Sequence, residues 1–280
     1  MRSLQDQIST LIRLADYYKQ DLLLKDLSPV TIAKYRQQLT SFCDWLGERE
    51  PSIDLAKLFF SELRQKGYKT ATIRSYYAAL SPYFAYLHMP LKLKLKKEKH
   101  LPRYHTEDEF NRLIQAIADR QDNWAKNKER DILIVKTLAF TGLRRSELLS
   151  LRCEDIKGNF VFVSRGKGGR DRVIPLIASL RAELSAYIDR NHLAPGDRCF
   201  PIGPNRLARM IREAAAKAGL KHITPHGLRH YFATMLVARG AQLRAVQELM
   251  GHEDISTTAI YLDVIPAHLT STIKLLEEET

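Results

Sequence analysis

Residues 28–47 read SPVTIAKYRQQLTSFCDWLG, and this stretch decides how the first part of the chain is interpreted. Ser28 can cap a helix, and Pro29 suits the first helical position. Apolar side chains then recur every three or four residues until Gly47, so they share one helical face; they are Ile32, Tyr35, Leu39, Phe42 and Trp45. The stretch therefore predicts an amphipathic helix that packs on neighbouring helices.

Two further helices are predicted after it. One covers residues 54–65 and closes at Gly67, and the next runs from about Thr70 to Leu87. The apolar side of the later helix consists of Ile73, Tyr77, Leu80 and Phe84. With a weaker segment before Asp21, these helices predict an N-terminal bundle of about four helices.

A second helical part is predicted from Thr106 onward. Thr106 to Glu109 forms a capping box ahead of the apolar residues Phe110, Leu113, Ile114 and Ile117. Further helices are predicted over residues 130–140, 178–190 and 206–218, and from Thr224-Pro225 onward. Residues 160–163, a Gly-rich turn and residues 172–174 predict one hairpin. The predicted fold class is mainly α, in two domains, with a small antiparallel sheet in the second.

A basic stretch lies between the two parts. Residues 88–103 read HMPLKLKLKKEKHLPR, with a proline near each end. We predict an exposed interdomain linker at residues 89–104, between a helical bundle at 1–88 and a second domain at 105–280. The Leu/Lys alternation is also compatible with a short edge strand. The lysines, at positions 92, 94, 96, 97 and 99, either contact a polyanion or are simply solvated.

The composition favours a nucleic-acid partner. The 280 residues are 45% hydrophobic, enough for two folded cores, and carry a formal net charge of +12, which favours binding to phosphates. No run of about 18 apolar residues predicts a membrane-spanning helix, and the N-terminus lacks the apolar block of a secretory signal. Three cysteines far apart in the sequence, without a CxxC pair, predict reduced thiols rather than disulfides or thiolate zinc. We therefore expect a cytoplasmic protein.

Two stretches of the second part carry cations suited to binding phosphate. In residues 141–148, Gly142 permits a tight turn into a helix, and Arg144 near the N-terminal end of that helix is well placed for an anion. The hairpin tip, residues 165–170, carries Lys167. Each of these side chains could also be an ordinary ion-paired or solvated surface residue.

Two later stretches carry histidine and tyrosine. His226 and Arg229 are three residues apart and therefore share a helical face. His226 and His230 could also suggest zinc, but no Glu follows His226 and no third ligand is evident. His252 is followed nine residues later by Tyr261, whose simplest alternative role is core packing. Without an Asp cluster suited to magnesium, the whole set favours metal-free phosphoryl transfer by an oxygen nucleophile.

Four motifs carry a family resemblance: TGLRRSELLSL at 141–151, GKGGRDRVIPL at 166–176, HGLRHYFATML at 226–236 and LMGHEDISTTAIY at 249–261. In combination and order they resemble the tyrosine site-specific recombinases, the phage-integrase-type enzymes. The compact layout is most similar to the Xer-type subgroup, and the general likeness covers nearly the whole chain. The resemblance implies a SAM-like helical N-terminal core-binding domain and a mainly α C-terminal catalytic domain, with no additional arm-binding domain.

The resemblance also implies a role for each polar residue. Tyr261 is expected to attack the scissile phosphate, leaving a 3′-phosphotyrosine and a free 5′-hydroxyl. Arg144 and Arg229 would clamp the non-bridging oxygens, and these cations lower the cost of the phenolate that develops on a group with a pKa of about 10. Lys167 would be the general acid for the leaving oxygen, and His226 would accept the tyrosine proton. His252 would donate a hydrogen bond to the phosphate, and Glu147 would support Arg144.

The resemblance implies no cofactor and no metal. The covalent link would store the phosphodiester energy, so attack by a 5′-hydroxyl of another duplex gives strand exchange through a Holliday junction. Two departures from the family pattern, Gly227 and the Tyr231-Phe232 pair, remove none of the expected groups but leave the supporting hydrogen bonds open. Arg165, Arg170 and Arg172 crowd the same hairpin as Lys167.

The C-terminal tail is expected to join protomers. Residues 267–278 predict a helix after Pro266, with a narrow apolar stripe made of Leu269, Ile273 and Leu276. Docking of this helix on a neighbouring protomer, identical or not, would give a synaptic tetramer; the alternative is a helix folded back on its own domain. The expected partners are double-stranded DNA recombination sites and other recombinase protomers, with an accessory activator left open and no membrane.

Three other functions compete with recombination. A DNA-binding regulator of the same fold would keep the charge but lose the chemistry, and the intact residue set argues against it. A type IB-like topoisomerase would relax supercoils as a monomer, and the Xer-like layout and the tail helix argue against it. A structural basic protein would cleave nothing. The sequence leaves open the DNA site and the task, whether resolution of chromosome or plasmid dimers or integration and excision of a mobile element.

Overall fold

The computed structural model describes residues 16–17, 27–95, 105–121, 125–164, 171–221 and 223–251. The chain divides into two compact units, Met1–His100 and Leu101–Thr280. The architecture is mainly helical with one small antiparallel sheet, which confirms the predicted fold class. Within the described ranges, no helix is both long enough and apolar enough to cross a membrane.

The first unit contains three helices that the structure describes in full: α1 (Pro29–Leu46), α2 (Ile53–Gln65) and α3 (Thr70–Tyr86). As predicted, the Ser28 side chain accepts a hydrogen bond from the Thr31 N–H at 3.2 Å, and α1 ends at Gly47. Leu39 and Phe42 are completely buried on the predicted apolar face of α1. Phe42 contacts the rings of Phe59 and Phe84, so the three helices share one aromatic core.

The start of the predicted linker belongs to this core. Leu91 is only 2% exposed, and its carbonyl oxygen accepts a hydrogen bond from the Tyr77 hydroxyl at 3.0 Å. Lys92 and Lys94 face solvent, while Leu93 and Leu95 pack on the core. The expectation of a wholly exposed linker was therefore wrong at Leu91, and residues 91–95 form no strand. Residues 96–104 lie outside the described ranges.

The described part of the second unit contains seven α-helices and one small sheet. The predicted capping box is present: the Thr106 hydroxyl accepts from the Glu109 N–H at 3.1 Å, and the Glu109 carboxylate accepts from the Thr106 N–H at 3.2 Å. Thr224 caps a later helix by accepting from the Gly227 N–H at 2.9 Å. The helices are α4 (Glu107–Ala118), α5 (Lys128–Thr141), α6 (Arg145–Ser150), α7 (Ala178–Arg190), α8 (Pro204–Lys217), α9 (Pro225–Ala238) and α10 (Leu243–Met250).

The sheet is antiparallel, with strand order β1 (Ile156–Lys157), β2 (Phe160–Val163) and β3 (Arg172–Pro175). The hairpin formed by β2 and β3 was predicted; β1 was not, because two residues are too short for a periodic signal. The register pairs Val163 with Arg172, and Val161 with Ile174. Since Val161, Val163 and Ile174 are buried, the side chain of Arg172 also lies on the inner face of the sheet.

Helix α5 runs through the middle of the second unit. It packs against α9, α4 and α7. Leu133, Ile134, Val135 and Leu138 are buried on several sides of it, as expected for a helix that is largely enclosed by its neighbours. Its buried Asp131 accepts hydrogen bonds from Arg120 and Arg130 at 2.8 and 2.9 Å, so the carboxylate is paired. The end of α5 lies against α9, because the carbonyl oxygen of Gly142 accepts a hydrogen bond from Arg229.

The three cysteines are buried free thiols. Cys153 and Cys199 are 46 residues apart in the sequence, yet their Sγ atoms are 3.6 Å apart. Around them the segments 151–153 and 197–199 run antiparallel, with the Cys153 N–H donating to the Asp197 carbonyl oxygen and Arg152 pairing with Arg198. The second unit thus brings distant segments together outside its sheet.

Candidate active site

The turn after α5 places the first arginine of the motifs. Gly142 has φ 63° and ψ 21°, a left-handed conformation that ends α5. Two residues later Arg144 caps α6, and its backbone N–H donates to Glu147 Oε2 at 2.7 Å. As predicted, the glycine turns the chain directly into a helix that begins beside Arg144.

The Arg144 guanidinium is held at two points and is still accessible. Nη1 donates to Glu147 Oε1 at 2.9 Å, and Nη2 donates to the carbonyl oxygen of Gly251 at 2.9 Å. The side chain keeps 37% of its surface exposed. A guanidinium carries five N–H groups, so Arg144 can bind an anion from solvent without leaving its place.

Arg229 is the buried partner of Arg144. It projects from α9 and is only 2% exposed. Its Nη1 donates to the carbonyl oxygen of Gly142 and its Nη2 to that of Met250, at the ends of α5 and α10. Nη1 also lies 4.0 Å from Glu147 Oε2. Arg229 therefore supplies a fixed positive charge that joins three helices.

A third arginine reaches the same carboxylate. Arg172, the first residue of β3, donates from Nη1 and Nη2 to Glu147 Oε1 and Oε2 at 2.9 and 2.7 Å. Its Nε donates to the carbonyl oxygen of Leu249 at 2.9 Å. Sequence reasoning treated Arg172 as one of several cations in the hairpin and missed this contact. The strand alternation was a usable signal, because it places a charged residue in register with buried Val163 and Ile174.

Glu147 is the centre of this cluster. Burial by itself would raise the pKa of Glu147, but the hydrogen bonds from the Arg172 side chain and the Arg144 backbone, the charge of Arg172 and the hydrogen bond from the Arg144 side chain lower it to about 2. The carboxylate is therefore ionised throughout the physiological range. The expected support of Arg144 by Glu147 agrees with these contacts, although the roles of both residues in a reaction stay predictions.

His226 stands at the start of α9, one turn before Arg229. Its ring meets that of His230 edge-on, with the centroids 4.2 Å apart. Desolvation, then the positive charges of Arg229 and Arg144, lower the pKa of His226 below its usual value. A neutral imidazole at pH 7 can accept a proton, which is what the expected role requires. Within the described part of the chain, no three His, Cys, Asp or Glu side chains are grouped as metal ligands.

Gly227, a departure from the family pattern, is explained by close packing. A Cβ atom built on Gly227 would lie 3.1 Å from Nε2 of His105. His105 is buried, and its Nδ1 is 3.0 Å from Glu109 Oε2. A larger side chain at position 227 would displace the first turn of α9 or the His105 ring, and that turn carries His226.

The structure brings together three of the predicted site residues, Arg144, His226 and Arg229. The other three, Lys167, His252 and Tyr261, lie outside the described residues, as does the predicted tail helix at 267–278. The described chain reaches the cluster shortly after the first gap, at Arg172, and just before the second gap, where the Gly251 carbonyl oxygen contacts Arg144.

Comparison with known proteins identifies the family. Residues 103–268 match the phage integrase family, and residues 15–89 match the phage integrase N-terminal SAM-like domain. The chain is 37% identical over 267 residues to tyrosine recombinase XerA of Pyrococcus furiosus, covering 90% of each chain, and 34% identical over 292 residues to tyrosine recombinase XerC of Roseiflexus sp., covering 93% and 90%.

Solved structures agree with this assignment. A crystal structure of XerA recombinase is 27% identical, with a TM-score of 0.52 over 95% of this chain and 98% of that chain. A lambda integrase dimer bound to a COC' core site shares the fold at 20% identity, with a TM-score of 0.72 over 89% and 93%. This chain belongs to the phage integrase family, the tyrosine recombinases.

Proposed function

We propose that this protein cleaves and rejoins double-stranded DNA at specific sites, with Tyr261 as the nucleophile. The observation that carries the proposal is the pairing of an accessible Arg144 with a buried Arg229 around one ionised carboxylate, Glu147, in a chain of the tyrosine recombinase family. Two fixed cations side by side suit a phosphate whose charge grows in the transition state.

In the proposed reaction the Tyr261 oxygen attacks phosphorus and the bond from phosphorus to the 5′ oxygen breaks. His226 takes the tyrosine proton, and Lys167 gives a proton to the leaving 5′ oxygen. Arg144 and Arg229 offset the charge on the non-bridging oxygens, and His252 donates a hydrogen bond to the phosphate. The product is a 3′-phosphotyrosine, which a 5′-hydroxyl of a second duplex reverses without ATP.

Each part of the chain has its own role in the proposed reaction. The bundle at 1–88 binds the core of the DNA site, the basic linker at 89–104 joins it to the rest, and the domain at 105–280 carries the chemistry. The two family matches, at 15–89 and 103–268, support this division. The tail helix docks on a neighbouring protomer, and four protomers hold two DNA sites. The enzyme works in the cytoplasm, where chromosomal or plasmid DNA and reduced thiols occur together.

The test uses DNA duplexes nicked near the scissile position and drawn from a library of candidate sites. Wild type, Tyr261→Phe and the matched control Tyr187→Phe are incubated with them in the presence of EDTA and run on a denaturing gel. Wild type and Tyr187→Phe should give a slower covalent band that Tyr261→Phe lacks. An adduct with Tyr261→Phe would refute the nucleophile, and DNA binding without any adduct would favour a regulator.

A second assay separates recombination from relaxation. Supercoiled plasmids with two recombination sites should yield exchanged products, and plasmids without paired sites should stay supercoiled. Relaxation of the site-free plasmid would favour the topoisomerase alternative.

A further inference from the structure

Arg172 connects three parts of the second unit. Its side chain leaves the inner face of β3, pairs with both oxygens of Glu147 on α6, and reaches the carbonyl oxygen of Leu249 near the end of α10. Only 8% of the Arg172 side chain and 11% of the Glu147 side chain are exposed. Little water competes for these bonds, so their geometry is fixed.

The shared oxygen is the decisive contact. Glu147 Oε1 accepts from Nη1 of Arg172 and from Nη1 of Arg144, both at 2.9 Å. The orientation of the Arg144 guanidinium therefore depends on where Arg172 holds the carboxylate. Without Arg172, the carboxylate keeps its hydrogen bonds to the backbone and side chain of Arg144 but loses the two donors that fix it to β3, so the carboxylate and the Arg144 guanidinium can shift together.

We infer that Arg172 is a positioning residue for strand cleavage, which acts by holding the Glu147 carboxylate so that Arg144 faces the scissile phosphate. This inference rests on the proposed function. Arg172 touches neither substrate nor nucleophile in this role, and the planar fork of an arginine is needed because both carboxylate oxygens are held at once. A lysine can supply the positive charge, but its single ammonium group cannot hold both carboxylate oxygens in the same way.

Among the described residues, the charged groups that face Glu147 come from three elements. Arg144 lies on the N-terminal side of α6, Arg172 on β3, and Arg229 on α9. Loss of Arg172 leaves the burial of the carboxyl group in place and removes its strongest hydrogen bonds. The pKa of Glu147 should then rise from about 2.

The experiment compares wild type, Arg172→Gln and Arg172→Lys in single-turnover cleavage of the nicked substrate. Cleavage by Arg172→Gln should be slower by on the order of 10- to 100-fold, by analogy with the loss seen when residues that orient the ligands of a metal site are removed. DNA affinity should change by less than about threefold, because the other phosphate contacts remain. Arg172→Lys should recover part of the rate. Arg209→Gln is the matched control, since Arg209 forms an exposed ion pair with Glu213 at 2.6 Å.

A readout independent of DNA accompanies the kinetics. The carboxyl carbon of Glu147, assigned with Glu147→Gln, is followed by NMR during a pH titration of the free protein. Its midpoint should rise in Arg172→Gln and not in Arg209→Gln. Removing one partner of a buried ion pair destabilises a protein. Thermal unfolding of each variant is therefore measured first, and the assays are run at a temperature at which all variants are folded.

The outcomes are distinct. Slower cleavage with unchanged DNA affinity and a raised Glu147 midpoint supports the inference. An unchanged midpoint, or equal losses of affinity and rate, overturns it. A substrate with sulfur in place of the bridging 5′ oxygen needs no proton on its leaving group, so full rescue of Arg172→Gln by sulfur would mean that Arg172 acts through the loop of Lys167 instead. If wild type forms no adduct at all, the proposed function fails, while the titration still reports the contact.

Discussion

Phe232 occupies the space that a side chain at position 142 would need. A Cβ atom built on Gly142 would lie 2.5 Å from Cδ1 and 2.9 Å from Cε1 of the Phe232 ring. Gly142 also has a positive φ of 63°. Close packing and backbone conformation therefore both require glycine at the turn between α5 and Arg144.

Gly142→Ala should lower the free energy of unfolding by about 3 kcal/mol. Roughly 1–2 kcal/mol comes from the left-handed backbone, and about 1–3 kcal/mol from overpacking against Phe232. Urea denaturation measures the change. Gly158→Ala is the control, because Gly158 has a similar φ of 58° with no atom within 4 Å of the added Cβ. Equal losses for the two variants would contradict the steric argument.

Arg144→Gln and Arg229→Gln should separate catalysis from stability. Each should slow covalent-adduct formation on the order of 10²- to 10³-fold, as loss of one charge-stabilising donor does elsewhere. Arg229→Gln should also cost about 3 kcal/mol of stability, because the carbonyl oxygens of Gly142 and Met250 lose a charged donor in a buried place. Arg144→Gln should cost about 1 kcal/mol or less, since Arg144 is 37% exposed.

Adduct yield and urea denaturation test this pair of variants together. The exposed neighbour Arg145 provides the stability control, as Arg145→Gln. An Arg229→Gln protein as stable as wild type would show that the buried hydrogen bonds of Arg229 contribute little.

The midpoint of His226 should respond to Arg144. In the free protein His226 should titrate below its usual pKa of 6.5, because desolvation and then the charges of Arg229 and Arg144 disfavour the imidazolium. Arg144→Gln removes one positive charge and should move the midpoint upward. Proton NMR of the ring, assigned with His226→Gln, measures the shift, and the remote Arg190→Gln should leave the midpoint unchanged. A midpoint that stays or falls in Arg144→Gln would contradict the electrostatic cause.

The same shift sets the sign of a stability effect. Because the folded protein binds a proton at His226 less readily than the unfolded chain, this group favours unfolding as the pH falls below 6.5. Its contribution vanishes above that pH, where both states are neutral.

The three thiols should be inert in the folded protein. Burial, and then the charge of Asp44, raise the pKa of Cys43 to about 11, and burial also raises the pKa of Cys153 and Cys199. At pH 8 few thiolates exist, so an aromatic disulfide reagent should react slowly with native protein and fully with all three thiols in urea. In urea, Cys43→Ser should show one reactive thiol fewer than wild type. Fast reaction of the native protein would mean that a cysteine is exposed.

Local signals in the sequence determined much of the fold. Ser28-Pro29, the Thr106 capping box and Thr224-Pro225 each mark a helix start, because a cap satisfies backbone groups only two or three residues away. The apolar face of α1 and the pairing of β2 with β3 could be predicted from periodicity, which is also a local signal. The ordered motifs also indicated the family and predicted that Arg144, His226 and Arg229 belong to one site.

Tertiary structure alone decided what those residues touch. Arg172 looked like one cation among several in a hairpin, and only packing showed it against Glu147, 25 residues earlier. The burial of Leu91, the contact between Cys153 and Cys199, and the carbonyl partners of Arg229 likewise join distant segments. Capping and periodicity act within a few residues and can be read from the sequence. A buried charge selects its partner only after helices and strands have packed, because desolvation then makes an unpaired charge too costly.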